Sequence, residues 1–174
     1  MENIRHFSIP LKGLKDGNHS FQFEVDDHFF RFFENQEIHE GNFMVFLEFD
    51  KKPGVSVMEF VLEGHARMNC DRCLEPINLP IHGEFRLLLK FGDEEESNDE
   101  VMYVDAEISI LPLGQLIYEF IILSIPLVRT YNCQDEDPRP CNLDALQKLE
   151  SNTELPTEVS SIWDGLKDIN FDSN

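Results

Sequence analysis

Polar and apolar residues alternate through much of the first ninety positions, which is the period of a β-strand. The segment 21–25 reads Phe-Gln-Phe-Glu-Val, with every second side chain apolar. Further apolar, partly alternating runs that predict strands lie at residues 43–49, 55–68, 77–91 and 101–104. Pro53 and Gly54 separate the first two of these runs and give a turn signal, so the two runs are predicted to form a hairpin. The first ninety residues are therefore expected to be mainly antiparallel sheet.

Helical patterns are fewer than strand patterns. Two aspartates precede residues 28–33, which carry four phenylalanines and are predicted to form a short capped helix. Residues 113–125 are predicted to form an apolar helix that Pro126 ends, and leucines at every third position predict a helix over residues 142–150. The chain is therefore predicted to have an α+β fold. In this fold an antiparallel sheet, open or curled into a barrel, is covered by the 113–125 helix and a helical C-terminus.

Length and composition favour one folded domain. The chain has 174 residues and a mass of 20.3 kDa, and 41% of its residues are hydrophobic, enough to bury a core. Glycine and proline number only 9 each, which argues against a low-complexity or disordered chain. Residues 1–150 are predicted to form a single domain, and residues 151–174 a polar tail with a short amphipathic segment at 162–169.

The longest apolar stretch, residues 108–128, is predicted to be a buried helix rather than a membrane span. Pro112 and Pro126 leave about 13 residues between them, fewer than the ~20 that cross a bilayer. Glu119 is either a buried carboxylate or, with Gln115 one turn earlier, part of the wet face of the helix. The first ten residues lack the pattern of a secretory signal, so we expect a cytoplasmic protein without membrane contact.

Net charge restricts the possible partners. The chain has 34 Asp and Glu residues against 14 Lys and Arg residues, a formal net charge of -20. Direct binding to nucleic acid relies on basic side chains that displace counterions, and Lys51 and Lys52 are the only adjacent basic pair in the sequence. Direct RNA binding is therefore weakly supported. A basic ribosomal protein or assembly factor is the favoured partner.

The most acidic segment is residues 92–100, which contain six carboxylates and no apolar side chain. The segment is predicted to be a solvated loop. Its functional interpretation is a docking surface for a basic partner, because complementary charge speeds encounter and selects partners. The alternative is a loop that only adds solubility. The candidate partner-binding residues are Asp93, Glu94, Glu95, Glu96, Asp99 and Glu100.

Four cysteines form the main candidate site. Cys70 and Cys73 form a CxxC between two predicted strands, a spacing that lets two thiolates approach one tetrahedral ion. Cys133 and Cys141 have seven residues between them and form a looser second pair. If the fold brings both pairs together, the four thiolates would hold one structural zinc ion with no open position for catalysis.

Other interpretations of the cysteines stay open. Four reduced thiols can serve as small apolar side chains. A CxxC can also be a redox pair, although such pairs normally open a helix, which Leu74-Glu75-Pro76 does not continue. His65 or His82 could replace one cysteine as a metal ligand.

The sequence carries no common catalytic motif. It contains no GxSxG, HExxH or GxxxxGK[ST] pattern. Catalytic chemistry can also be assembled from residues that are distant in sequence, but no such set is indicated here. The chain is therefore predicted not to be an enzyme, and no catalytic or cofactor-binding residue is assigned.

The cysteine motif and several later segments resemble a known family. The sequence Cys70-Asp71-Arg72-Cys73-Leu74-Glu75-Pro76 resembles the signature of the YceD family. Residues 91–92, 117–126 and 141–144 are similar to later blocks of that family, in the same order. Residues 163–167, Trp-Asp-Gly-Leu-Lys, resemble the tail of some of its members. The resemblance covers roughly residues 55 to 170.

This resemblance implies a role in the accumulation of large-subunit ribosomal RNA, through its processing or the early assembly of the large subunit. It implies a second cysteine cluster, represented in this sequence by Cys133 and Cys141, and it implies no catalysed reaction. With the acidity of the chain, it favours a protein adaptor that influences the RNA indirectly. The rival functions are a zinc-stabilised protein-binding module unrelated to ribosomes and a thiol redox protein.

Overall fold

The fold is that of a computed structural model, which describes residues 6–33, 38, 40–92, 101–105, 107–130, 132 and 137–153. Its strands are β1 (Ser8–Pro10), β2 (Gly17–Val25), β3 (Gly41–Lys51), β4 (Val55–Asn69), β5 (Pro76–Phe91), β6 (Val101–Val104) and β7 (Ile110–Pro112). Its helices are α1 (Asp27–Phe30), α2 (Gly114–Leu123) and α3 (Leu143–Thr153). The predicted mixture of a predominant sheet with a few helices is confirmed.

The main sheet is an open one with the strand order β2-β3-β4-β5-β6. The first four strands pair antiparallel, whereas β6 adds to β5 in parallel. Strands β2 and β6 form the two edges, so the barrel alternative is wrong for the described part of the chain. A separate two-stranded sheet joins β1 to β7.

One face of the main sheet holds the core. Alternate residues of the long strands β3, β4 and β5 are buried, as the period-2 pattern predicts. Helix α2 lies on this inner face, where the Phe120 ring contacts Phe60 at 5.1 Å between centroids and stacks on Phe85 at 4.1 Å. The predicted covering of the sheet by this helix is therefore present.

Helix α1 closes one end of the inner face. Asp26 caps it, because its carboxylate accepts hydrogen bonds from the backbone N–H groups of His28 at 3.0 Å and Phe29 at 3.2 Å. The helix is shorter than the predicted 28–33. Phe32 and Phe33 bond back three residues instead of four, so the chain leaves the α-helical path as a tight turn. Buried Phe29 packs against Phe7 with 4.6 Å between ring centroids.

The C-terminal helix α3 does not form the predicted covering layer clearly. Ala145 and Leu146 pack against the core, but Leu143 and Leu149 are about half exposed. The helix begins where Asn142 accepts a hydrogen bond from the backbone N–H of Ala145 at 3.0 Å. It extends beyond the predicted end, and the tail after it lies outside the described residues.

The apolar stretch at residues 108–128 is not one buried helix, as predicted: it contains strand β7 and the shorter helix α2, which has one exposed polar face. Helix α2 has ten residues, and Gln115 donates a hydrogen bond to Glu119 at 2.8 Å on its exposed side. Glu119 is thus on the polar face of the helix and is not a buried carboxylate. Across the described ranges, no helix is long and apolar enough to cross a membrane.

Candidate functional site

The CxxC occupies a turn between the two longest strands, β4 and β5, which we call the cysteine turn (residues 70–75). Two backbone hydrogen bonds close it: Cys70 N–H donates to the Glu75 carbonyl at 2.9 Å, and Leu74 N–H donates to the Cys70 carbonyl at 2.8 Å. The strands that enter and leave the turn pair over their full length, from Val55 with Lys90 to Asn69 with Pro76. The turn is therefore held at the end of a rigid ladder.

Both thiols of the turn are buried, each with only 2% exposure. Cys73 accepts hydrogen bonds from the backbone N–H groups of Glu75 and Asn142 and from the Cys70 thiol. Burial acts to raise the pKa of Cys73, but these hydrogen bonds and the positive charge of Arg72 outweigh it and lower that pKa below its ordinary value. The environment therefore favours a thiolate at Cys73.

Leu74 has an unusual backbone conformation in this turn. Its φ is 63°, in the left-handed region that leucine rarely adopts, and its side chain is 76% exposed. The conformation lets the chain turn back, so that the next N–H, that of Glu75, reaches Cys73. A strained backbone is thus maintained beside a buried thiol, which is a common sign of a functional site.

Two later segments of the chain meet the cysteine turn. Asp71 and Arg129 exchange two hydrogen bonds, from Asp71 N–H to the Arg129 carbonyl at 3.1 Å and from Arg129 N–H to the Asp71 carboxylate at 2.7 Å. The Asn142 amide donates to the Glu75 carboxylate at 3.3 Å. The sequence suggested neither contact, because the partners are 58 and 67 residues apart.

The second cysteine pair is only partly described. Cys141 is buried, and its neighbour Asn142 donates a backbone hydrogen bond to Cys73. Cys141 is itself disulfide-bonded, whereas Cys70 and Cys73 are free thiols. Cys133 lies outside the described residues. Among the residues that the structure describes, no group of three or more His, Cys, Asp or Glu side chains could hold a metal ion.

His65 and His82, the histidines considered as replacement metal ligands, make their contacts away from the cysteine turn. The carboxylates of residues 93–100 lie outside the described residues, so their role as a docking surface stays a prediction. His82 lies between Glu63 and Glu84, at 3.7 and 3.3 Å from their carboxylates. His65 lines a surface cavity with Asn42 and other residues.

The cysteine turn differs in two ways from the usual redox CxxC. The chain after Cys73 enters strand β5 at Pro76, so no helix begins at the CxxC, in contrast to the usual redox pair. Both sulfur atoms are buried, which restricts attack by another thiol. A metal ion held by these two thiols would need further ligands from elsewhere, because a tetrahedral site takes four.

Comparison with known proteins identifies the family but no individual relative. A family model described as "Large ribosomal RNA subunit accumulation protein YceD" matches residues 58–170. This range includes the cysteine turn, helix α2 and helix α3. Neither a curated protein nor a solved structure shows a significant match. Because the family model covers more than half of the chain, the protein belongs to the YceD family of large ribosomal RNA subunit accumulation proteins.

Proposed function

We propose that this protein is a non-enzymatic factor that supports the accumulation of large-subunit ribosomal RNA, by assisting its processing or the early assembly of the large subunit. The observation that carries this proposal is the family match over residues 58–170. The description of the family names the accumulation of an RNA and no reaction. The buried and hydrogen-bonded state of the two free thiols fits a binding or structural role.

We infer further that the protein works as an adaptor that binds a basic protein and does not bind RNA directly. The net charge of -20 repels phosphate groups at long range. The adjacent basic pair of the sequence is occupied within the fold: Lys51 donates to the carbonyls of Leu11 and Leu14 at 2.9 and 2.6 Å, and Lys52 pairs with Asp50. These two ammonium groups are therefore poorly placed to bind phosphate.

The process is tested by deleting the gene and measuring the mature large-subunit RNA relative to small-subunit RNA. We expect the ratio to fall and to recover when the wild-type gene is restored. An unchanged ratio would favour the rival function, a binding module unrelated to ribosomes. The adaptor step needs a separate test, in which ribosomal proteins are stripped from the RNA before a pull-down. Recovery of naked ribosomal RNA without any basic protein would contradict it.

A structural zinc ion on Cys70, Cys73, Cys133 and Cys141 is part of the proposal. The lowered pKa of Cys73 and the neighbouring position of Asn142 and Cys141 support it. The site would be complete only with the Cys141 disulfide reduced. Bound there, zinc would link the cysteine turn to the segments that follow α2 and so fix their relative positions.

Elemental analysis of protein without a histidine tag tests the metal. Freshly reduced protein should hold about one zinc per chain. The double variant Cys70→Ser, Cys73→Ser should lose it, and oxidised protein should bind much less, because a disulfide offers no thiolate. Reduced protein that takes up no zinc from excess would contradict the metal and leave the function in RNA accumulation untouched.

A further inference from the structure

The face of the sheet opposite α2, which we call the outer face, has an apolar centre. Phe46 of β3 is 42% exposed and lies in register with Val61 of β4, which is half-buried. Met44 lies two residues before Phe46 on the same face, and the Gln22 amide donates a hydrogen bond to the Met44 sulfur at 2.9 Å. Phe46, Val61 and Met44 are neighbours on this face and form a contiguous apolar patch, and apolar patches rimmed by polar residues mark interaction sites.

Carboxylates surround this centre. The glutamates next to Phe46 and Val61, along the strands or on neighbouring strands, are Glu24, Glu48, Glu59, Glu63 and Glu84, and all five are exposed. Among the described residues around this centre, Arg86 is the one fixed positive charge, and its guanidinium lies 3.6 Å from the Glu59 carboxylate. The surroundings of the centre therefore carry a clear negative excess.

Two of these glutamates oppose each other directly. Glu48 of β3 and Glu59 of β4 are paired in register, an arrangement that destabilises a sheet because like charges lie side by side. Arg86 relieves this repulsion only in part, since it is exposed and its contact with Glu59 is long. Positive charge from another molecule would relieve it further.

A surface cavity lies towards each end of the outer face. One, of about 410 Å³, lies around Arg67 and includes three carboxylates. The other, of about 370 Å³, is lined by two basic residues, Arg86 and Lys52, and also includes three carboxylates. The carboxylates are Asp26, Asp27 and Glu40 in the first cavity and Glu48, Asp50 and Glu59 in the second. From Glu59 to Arg67 along β4 is about 26 Å at strand spacing, the length of a helix of roughly 17 residues.

We propose that the outer face docks a lysine- and arginine-rich amphipathic segment of a partner protein, with apolar side chains on Phe46 and Val61 and basic side chains on the surrounding glutamates. This inference rests on the proposed function and names the chemistry of the adaptor's partner. An exposed aromatic ring can also stack on an RNA base, but single-strand binding surfaces combine such rings with basic grooves, and this ring is surrounded by acids.

Binding in vitro tests the face directly. The probe is a fluorescent helical peptide of lysine and leucine about 17 residues long, titrated with the full-length protein and followed by anisotropy. Phe46→Ala should weaken binding about tenfold or more, because a buried aromatic contact at the centre of an interface dominates its affinity. Glu59→Gln with Glu63→Gln should weaken it and reduce its dependence on salt.

Leu123→Ala is the matched control. Leu123 is 71% exposed, but it lies on α2, on the opposite side of the sheet, and the substitution also removes apolar area without a change of charge. It should bind the peptide like the wild type. Equal losses in Phe46→Ala and Leu123→Ala would contradict the proposal, as would equal binding of a glutamate–leucine peptide. Preferential binding of an oligouridine of similar length, weakened by Phe46→Ala, would replace the protein partner with RNA.

Complementation separates this inference from the proposed function. The deletion strain receives wild-type, Phe46→Asp or Leu123→Asp genes, and the ratio of large- to small-subunit RNA is measured beside the amount of folded protein. Rescue by wild type and Leu123→Asp but not by Phe46→Asp, at equal protein levels, would support the docking face. Rescue by all three would refute the face and leave the role in RNA accumulation intact. Failure of the wild type to restore a lowered ratio would refute both.

Discussion

The sheet interior and the cysteine turn are stabilised in different ways. The interior is stabilised by apolar packing: Phe43, Phe49 and Phe60 are almost completely buried, and the strands around them pair in unbroken register. The turn is stabilised by directional hydrogen bonds: backbone N–H groups from two segments donate to one sulfur atom. The left-handed backbone of Leu74 permits this arrangement. Packing of the interior does not depend on protonation, whereas the hydrogen bonds at Cys73 do.

This difference suggests a division of labour. Apolar packing of the interior gives the fold enough stability to carry costly features outside the interior, such as a leucine at positive φ and two glutamates paired side by side. Such features persist in a folded protein only when the surrounding structure enforces them. Substitutions in the two regions should therefore differ in the size, the pH dependence and the sign of the change in unfolding free energy.

The largest effect is expected from the interior. Phe60→Ala should lower the free energy of unfolding by about 3 to 5 kcal/mol, because it removes a buried ring that contacts Phe120 and leaves a cavity. Phe46→Ala removes the same atoms from the exposed face of the adjacent strand and should cost below about 1 kcal/mol. Urea denaturation measures the unfolding free energy of both variants. Similar losses would show that the inner and outer faces of the sheet do not differ in how much their side chains stabilise the fold.

A smaller but still large effect is expected at Gly64, where β4 passes close to β3. A Cβ added there would lie 2.6 Å from the Phe43 ring and 2.7 Å from its Cα, and closer still to the Asn42 carbonyl oxygen. Gly64→Ala should therefore cost about 1 to 3 kcal/mol through displaced backbone. Gly13→Ala is the matched control, since its nearest neighbour would be Pro10 Cβ at an ordinary 3.8 Å. Unchanged urea midpoints for both variants would contradict this tight packing.

The sequence predicts the interior better than the turn, and the reason is the range of the interactions. Alternation is local, so the runs at 43–49, 55–68 and 77–91 predict β3, β4 and β5 closely. Strands β1 and β7 escaped prediction as a pair because each has only three residues, too few to show a period. Whether a sheet closes depends on contacts between its edge strands, which no local pattern contains, and so the barrel could not be excluded in advance.

The candidate site was predictable only in part. The spacing of Cys70 and Cys73 and the following Pro76 indicate a turn between strands without any structure. The bonds between Asp71 and Arg129 are different, because nothing in either segment marks its partner 58 residues away. The signal that could have drawn attention to Leu74 is its place directly after the CxxC, where a left-handed residue closes the turn.

Protonation should separate the turn from the interior. The pKa of Cys73 is lowered in the folded protein, so its thiolate stabilises the fold fully above the unfolded-state pKa of about 8.5, and this contribution is lost as the pH falls through the folded-state value. In reduced protein with a chelator, the difference in unfolding free energy between wild type and Cys73→Ser should therefore grow as the pH rises. The deficit of Phe60→Ala should stay constant. A pH-independent difference for Cys73→Ser would contradict the thiolate environment.

The smallest effect, of opposite sign, is expected at Leu74. Glycine adopts the 63° φ of this position without the cost of about 1 kcal/mol that a Cβ incurs, although it also increases the entropy of the unfolded chain. Leu74→Gly should therefore stabilise the fold by about 0.5 kcal/mol, whereas Leu74→Ala keeps the Cβ and should not. Urea midpoints compare the two. Since the Leu74 side chain is 76% exposed, a loss of stability in Leu74→Gly beyond that in Leu74→Ala would mean that the left-handed backbone is not strained, and the cysteine turn would then resemble the sheet interior in carrying no stored cost.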